Sequence, residues 1–291
     1  MGSVYEVASG RKISRGDLAR ALDASDVVLL GEQHDNIDHH RIQAFLLREL
    51  IAAGRRPVVA FEQIDVAQQD ALDHALAAHA GQSPAALADA VADAAGWQKS
   101  GWPPFDQYRP VFETALAAGL PVRAANLPRS QMKDLFGTKT AAATGEDPSF
   151  AFSPSELASL KADIVDSHCG YAGEDLVGPM ISAEKRRDRT MADVVVSAAG
   201  QSNGGVVLIS GFGHARKDYA VPFYLRRLVP ALKVASVGLL EVSDDALHEG
   251  DYAALLHASV LPFDFVMFTP RVSNEDPCEK FRAGLEKMKS R

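Results

Sequence analysis

Cysteine is scarce in this chain, and the motifs that would give it a chemical role are missing. Cys169 and Cys278 are the only two in 291 residues. Neither CxxC nor CxxCH occurs, so a structural zinc knuckle and covalent c-type haem attachment lack the residues they need. Any bound cofactor is then held non-covalently. Basic runs are missing as well: the formal net charge is −8 and no long Lys/Arg block appears, which argues against a nucleic-acid backbone as partner, since such binding is driven by phosphate neutralisation. A metal or an organic ligand suits this charge better. No stretch reaches the roughly 20 continuous apolar residues of a membrane helix, so the chain is expected to be soluble. Met1-Gly2-Ser3-Val4 shows no basic start, apolar core or cleavage site, so no secretory leader is expected in the sequence as it stands. There is no GxSxG elbow and no evident cysteine nucleophile, so any hydrolysis would use water rather than an acyl-enzyme.

What is present is a chain that is 47% hydrophobic and long enough for a sizeable core. Short apolar runs alternate with segments of helical periodicity, the pattern of an α/β protein with a mainly parallel open sheet flanked by helices. Strands are expected at 27–30, 58–61, 122–125, 206–209, 234–240 and 263–268. Between the first two, Ile42, Phe45, Leu46 and Leu50 fall at helical spacing before Gly54 and Pro57, which makes a βαβ unit. The Ala-rich stretch 66–95, split by Ser83-Pro84, reads as scaffold helices, with His74 and His79 on solvated faces. From 131 to 178 no convincing strand appears, and 137–148 is polar and irregular. A helical cap over 131–178, inserted into a core made of 1–130 and 179–291, is the expected organisation. Ser153-Pro154-Ser155-Glu156 starts one of its helices with capping-box spacing. The cap also carries Asp166, His168, Cys169 and Tyr171, with Met180 just beyond, residue types that bind soft or borderline metals. A long helix is expected over 182–199, with Arg186, Arg187 and Arg189 on a solvated face, the alternative being that they hold carboxylate or phosphate groups bidentately.

The strand ends hold the chemistry. Val27-Val28-Leu29-Leu30 runs into Gly31-Glu32-Gln33-His34, and Val206-Val207-Leu208-Ile209-Ser210 runs into Gly211-Phe212-Gly213-His214. A third strand ends in Phe61-Glu62-Gln63 and a fourth in Ala124-Ala125-Asn126. In an open parallel sheet, ligands sit outside the carboxyl ends of the strands, where glycine lets the backbone approach closely. Polar groups buried there cost roughly 1–3 kcal/mol each unless they find partners, so mutual hydrogen bonding or a shared metal is expected for Glu32, His34, Glu62 and His214. Helix capping by either glutamate is the plainer alternative. His39 and His40, in a helix first turn, are expected to be neutral and available as ligands or hydrogen-bond partners, with a surface location also open for His40. Phe212 either stacks on a flat ligand or anchors its loop.

Gly31-Glu32-Gln33-His34-Asp35-Asn36 with His39-His40 and Gln43, Phe61-Glu62-Gln63, Tyr108-Arg109-Pro110, Ala125-Asn126, His168-Cys169-Gly170, Met191-Ala192 and Gly211-Phe212-Gly213-His214 together resemble the haem-binding uptake family typified by ChaN. The broader superfamily also holds Tiki, TraB and erythromycin-esterase proteins. The resemblance implies an α/β core with a helical cap, non-covalent haem (iron protoporphyrin IX), and a homodimer that buries stacked haems. It also implies an axial tyrosine supported by histidine, for which Tyr171 and His168 are the candidates, with His34, His214, Phe212 and Met180 completing the pocket. An outer-membrane haem receptor or transport system is the implied partner. The implied location is the cell envelope, periplasmic or outer-membrane associated, although neither a leader nor an early cysteine stands in this sequence. The competing expectation is a metal-dependent esterase or peptidase, in which Glu32, His34, Glu62 and His214 hold a divalent metal or activate water and Asn126 polarises a carbonyl.

Overall fold

The computed structural model describes residues 4–137, 147–276, 278–279 and 282. Residues 138–146, most of the stretch expected to be irregular, lie outside the described residues. Eight strands form one sheet: β1 (Val4–Glu6), β2 (Arg11–Ile13), β3 (Val27–Glu32), β4 (Val58–Asp65), β5 (Val122–Asn126), β6 (Val206–Gly211), β7 (Val234–Glu241) and β8 (Phe265–Thr269). Their spatial order is β2-β1-β8-β7-β3-β6-β4-β5. The six from β3 to β8 are parallel and correspond to the six expected from the apolar runs. β1 and β2 add an antiparallel hairpin on β8. At three residues each, one of them Arg-Lys-Ile, they are too short for a period-2 pattern to register.

The order of strands positions the site. β6 enters between β3 and β4, so the motif that follows it, distant in sequence, falls between the two that follow β3 and β4. Side chains alternate across each strand. Val28 and Leu30 of β3, with Val59 and Phe61 of β4, join one apolar cluster, beneath helices Ile37–Ala52, Pro84–Ala94 and Phe105–Ala117. There Phe61 stacks on Phe112 at 4.0 Å. Val27 and Leu29, with Val58 and Ala60, join a second cluster beneath helices Glu174–Gln201 and Val221–Leu228. Continuing that parity, Glu32 leaves the sheet on the first face and Glu62 on the second.

Between β5 and β6 the regular structure of the described chain is helical, in Arg129–Gly137, Pro154–Ser167 and Glu174–Gln201, with a short 3-10 turn at Pro148–Phe150. The capping box at Ser153 is formed, with the Glu156 N–H donating to Ser153 Oγ at 3.2 Å and the Ser153 N–H donating to Glu156 at 2.6 Å. The long helix starts at Glu174 rather than 182 and carries Pro179 inside it, which removes one helical hydrogen bond. The cap boundary expected at residue 178 therefore falls within a continuous helix.

Gly31 sits where the short helix Phe212–Ala215 crosses β3. A Cβ built on it would lie 2.7 Å from the Phe212 Cα and 2.8 Å from the Ala215 Cβ. Gly31→Ala is expected to lower the unfolding free energy by about 1–3 kcal/mol through overpacking, measured by urea denaturation. An unchanged midpoint would show that this crossing is soft.

Candidate ligand-binding site

On the first face, Glu32 is fully buried, and its Oε1 accepts from the Tyr108 hydroxyl at 2.6 Å, from Gln63 Nε2 at 3.0 Å and from His34 Nδ1 at 2.9 Å. Burial works to raise its pKa, but the His34 hydrogen bond and the His40 ring, 3.3 Å from Oε2, outweigh burial and hold the carboxyl at about 2. On the second face, Glu62 accepts the Gly211 N–H on Oε2 at 2.6 Å, and the Arg187 guanidinium donates to Oε1. Burial opposes its charge as well; His214, then His34 and Arg187, overcome it and hold Glu62 well below the carboxylate range.

His34 joins the two faces around the end of the sheet, with Nδ1 on Glu32 and Nε2 3.9 Å from Glu62 Oε1. His214 approaches Glu62 from the other side, Nε2 at 3.4 Å, while its Nδ1 donates to Asp188 at 2.7 Å. Burial pushes both imidazoles down. The neighbouring carboxylates prevail, Glu62 foremost, so His34 lies above its ordinary range and His214 is raised to about 10. Burial also lifts Asp188 to about 6. Gly211 makes this convergence possible, because a Cβ there would stand 2.9 Å from His34 Nε2. Glu32, His34, Glu62 and His214 are thus brought together as expected from their strand ends.

Among the described residues no group of three or more His, Cys, Asp or Glu side chains is arranged to hold a metal ion. The physical reason is Arg187, whose charge sits against Glu62 where a cation would have to go. Arg187 was expected on a solvated face; it is largely buried, with Nη1 on Glu184 at 2.9 Å and Nε on Asn126 Oδ1 at 3.3 Å. Arg186 is exposed and Arg189 pairs with Asp193 at 2.9 Å, as a solvated face requires. The signal that marks Arg187 as inward-facing is spacing: Glu184, Arg187, Asp188, Met191 and Val195 recur at three- and four-residue intervals, so the charges continue the apolar stripe inward. Asn126 does not offer a free amide oxygen to a ligand, since its Oδ1 also accepts the Leu127 N–H at 2.9 Å.

His39 and His40 are both fully buried, which removes the surface alternative for His40. His39 Nδ1 accepts the Gln33 N–H at 2.8 Å, so its Nε2–H donates to Thr269 Oγ1, also at 2.8 Å. Burial lowers His39 to about 4, and the neutral ring pins the loop after β3 to the end of β8. His40 packs on Tyr108 at 4.0 Å.

Above these groups lies a cavity of about 840 Å³. Glu32, His34, Arg187, Asp188 and His214 form its floor; Phe212, Met180, His168, Leu160, Ile164, Leu256 and His257 stand in its walls. Glu62 lies behind Gly211 and is not among the lining residues. Tyr171 is half exposed and is not among the lining side chains either. One wall is tied to the floor motif by Arg216, a fully buried residue that no sequence pattern singles out. It donates to Asp163 at 2.6 Å, Ser159 at 3.0 Å, Asp218 at 2.7 Å and the Leu256 carbonyl at 2.8 Å.

The model of the haem-binding uptake family (Tiki superfamily, ChaN) matches residues 18–225. The chain belongs to that family. Among solved structures, ChaN of Campylobacter jejuni, described as binding haem cofacially, superposes with a TM-score of 0.72 at 22% identity, covering 91% of this chain and 95% of that one. An erythromycin esterase, a mutant of EreC in its open conformation, gives 0.44 at 13% identity, over 97% of this chain and 86% of that one. The type III effector HopBA1 gives 0.44 at 12%, over 87% and 91%. No curated protein matches the sequence. Among the described residues no helix is long and apolar enough to cross a membrane.

The electrostatics of this ChaN-family floor set its stability. Arg187→Met leaves Glu62 buried without its guanidinium and is expected to cost about 3–5 kcal/mol, with Glu62→Gln in the same chain recovering part of the loss in denaturant titrations. The His214 pKa rises on folding from 6.5 to about 10, so its contribution is complete below pH 6.5 and is lost as pH climbs toward 10. The Glu32 pKa falls from 4.5 to about 2, so its contribution is complete above pH 4.5 and is lost as pH drops toward 2. The midpoint of thermal unfolding should decline on both sides of that plateau, and His214→Gln should flatten the alkaline decline; an unaltered alkaline slope would refute this assignment.

Proposed function

We propose that this ChaN-family chain binds haem non-covalently in the cavity over β3, β6 and β4, and serves haem or iron uptake in the cell envelope. The observation that carries this reading is the cavity itself, which combines the volume of a cofactor site with walls that are part apolar and part imidazole. Phe212, Met180, Leu160 and Ile164 would enclose the macrocycle. Bound haem supplies an iron centre that takes axial nitrogen or oxygen ligands. His168, which lines the cavity, is the side chain assigned to the iron. Tyr171, three residues later, is half exposed and does not line the cavity. His34 and His214 are committed to carboxylates, so their part is a polar floor and not ligation. The cap over 131–178, on a core of 1–130 and 179–291, is the proposed haem-covering module. A homodimer with cofacial haems, fed by or feeding an outer-membrane receptor or transport system, completes the reading by analogy with the family.

A hydrolase of the esterase or peptidase type fits this floor less well. Activating water requires a base with a free lone pair. Glu62 is taken by Arg187 and the Gly211 N–H, and His214 is held protonated; Glu32 has three donors on Oε1, while its Oε2 is buried 3.3 Å from the His40 ring without a hydrogen bond. The acid and base groups are engaged with one another.

Titration of the apoprotein with haemin should give a saturable Soret band. His168→Ala should shift that band and weaken binding on the order of tenfold or more, whereas Tyr171→Phe should leave the band in place. A shift with Tyr171→Phe alone would move the ligand assignment to Tyr171. A band that never saturates would remove the haem reading altogether.

A further inference from the structure

Cys169 and Cys278 are joined in a disulfide across 109 residues of sequence, and both line the cavity, so the cystine is itself part of the wall. Cys169 lies in the turn between the two long helices of the region, Pro154–Ser167 and Glu174–Gln201. Cys278 lies beyond residue 225, where the family match ends, so this cross-link is an addition to what the family model covers.

The two ends are held differently. Cys169 occupies the left-handed region, φ 55°, directly after the helix-ending His168 and before Gly170 at φ 70°. That position after a helix is usually given to glycine, and a residue with a Cβ adopts it at an energetic cost. The turn is also stitched by its own backbone, with the Cys169 N–H on the Asp166 carbonyl at 2.8 Å and the Gly170 N–H on the Val165 carbonyl at 2.9 Å. On the other side, residues 270–276 are exposed throughout. The hydrogen bonds of the Cys278 and Glu279 N–H groups go to Asp276, within the same short segment, at 2.8 and 3.1 Å. The cystine is therefore a covalent attachment of a solvent-exposed segment to the cavity wall, and it clamps a turn whose conformation is locally unfavourable.

We propose that Cys169–Cys278 is a thiol-sensitive latch on the cavity, closed as the cystine and opened by a dithiol or thiol reductant. Opening transfers two electrons and two protons: the S–S bond breaks, two protein thiols form, and the reductant leaves as its own disulfide. Cys278 then departs from the wall, the turn at Cys169 relaxes, and the side of the cavity carrying His168 loses its covalent restraint. The consequence for ligand is kinetic, because loss of a restraint on the bound state registers mainly in the dissociation rate. As a statement about ligand release this rests on the haem reading; as a statement about the wall it does not.

The test compares oxidised protein, protein reduced with dithiothreitol and then freed of it, and the Cys169→Ser/Cys278→Ser double variant, with free thiols counted in each. Haemin transfer to excess apoglobin should be about tenfold faster from the reduced and double-variant proteins than from the oxidised one. Equal rates within about twofold, with two thiols titrated in the reduced sample, would overturn the latch. If no form binds haemin saturably, the haem reading fails and amide hydrogen exchange decides the latch alone. Faster exchange over 164–173 on reduction supports it, and unchanged exchange there overturns it.

Discussion

Glu32 and Glu62 are fully buried carboxylates that leave neighbouring parts of one sheet edge on opposite faces, and each must be met by positive or hydrogen-bonding groups where water cannot reach. Each face answers separately. Tyr108 and Gln63 reach Glu32 from one side, and Arg187 and His214 reach Glu62 from the other. His34 is the group that belongs to both, passing around the strand ends. Burying ions in this way adds little to stability by itself, since well-packed apolar residues would serve as well or better. The network is better understood as holding donors and acceptors rigidly at the mouth of the sheet.

That constraint divides the residues around the motifs into floor, wall and scaffold. The floor is charged and largely paired within itself, with Glu32 Oε2 left buried without a hydrogen bond. The walls are apolar with imidazoles; Arg216 draws one of them against the floor motif, and the cystine ties the segment around Cys278 to it. His39 and Asn36, which stand in the same motif as Glu32, belong to the scaffold: they fasten the loop after β3 to Thr269 and to Glu241. Residues adjacent in sequence thus serve separate purposes, and a motif is only partly a site.

The six parallel strands were legible because each is a short, predominantly apolar run that stops at polar residues or glycine, and a strand buried on both faces reads that way. The glycine at each of two motifs was legible for a related reason, since close backbone approach leaves few alternatives at Gly31 and Gly211. Arg187 and Arg216 were not. A charged residue carries the same sequence signature whether it faces solvent or a buried partner, and besides the nearby Glu184 and Asp218 the deciding partners are 125 residues away for Arg187 and 53 for Arg216. Tyr171, in the glycine-rich turn with Cys169 and Gly170, is half exposed and outside the cavity lining of the described structure.

Local chemistry by itself therefore determined the fold class, the places where strands stop, and which polar residues gather at their ends, because apolar periodicity and backbone sterics act over a few residues. Tertiary structure alone decided that β6 enters between β3 and β4, that Arg187 is brought against Glu62, and that Cys169 meets Cys278 at the cavity wall. Those outcomes depend on which distant segments pack together, and charge pairing and cross-linking are properties of that packing, absent from any short stretch of the chain.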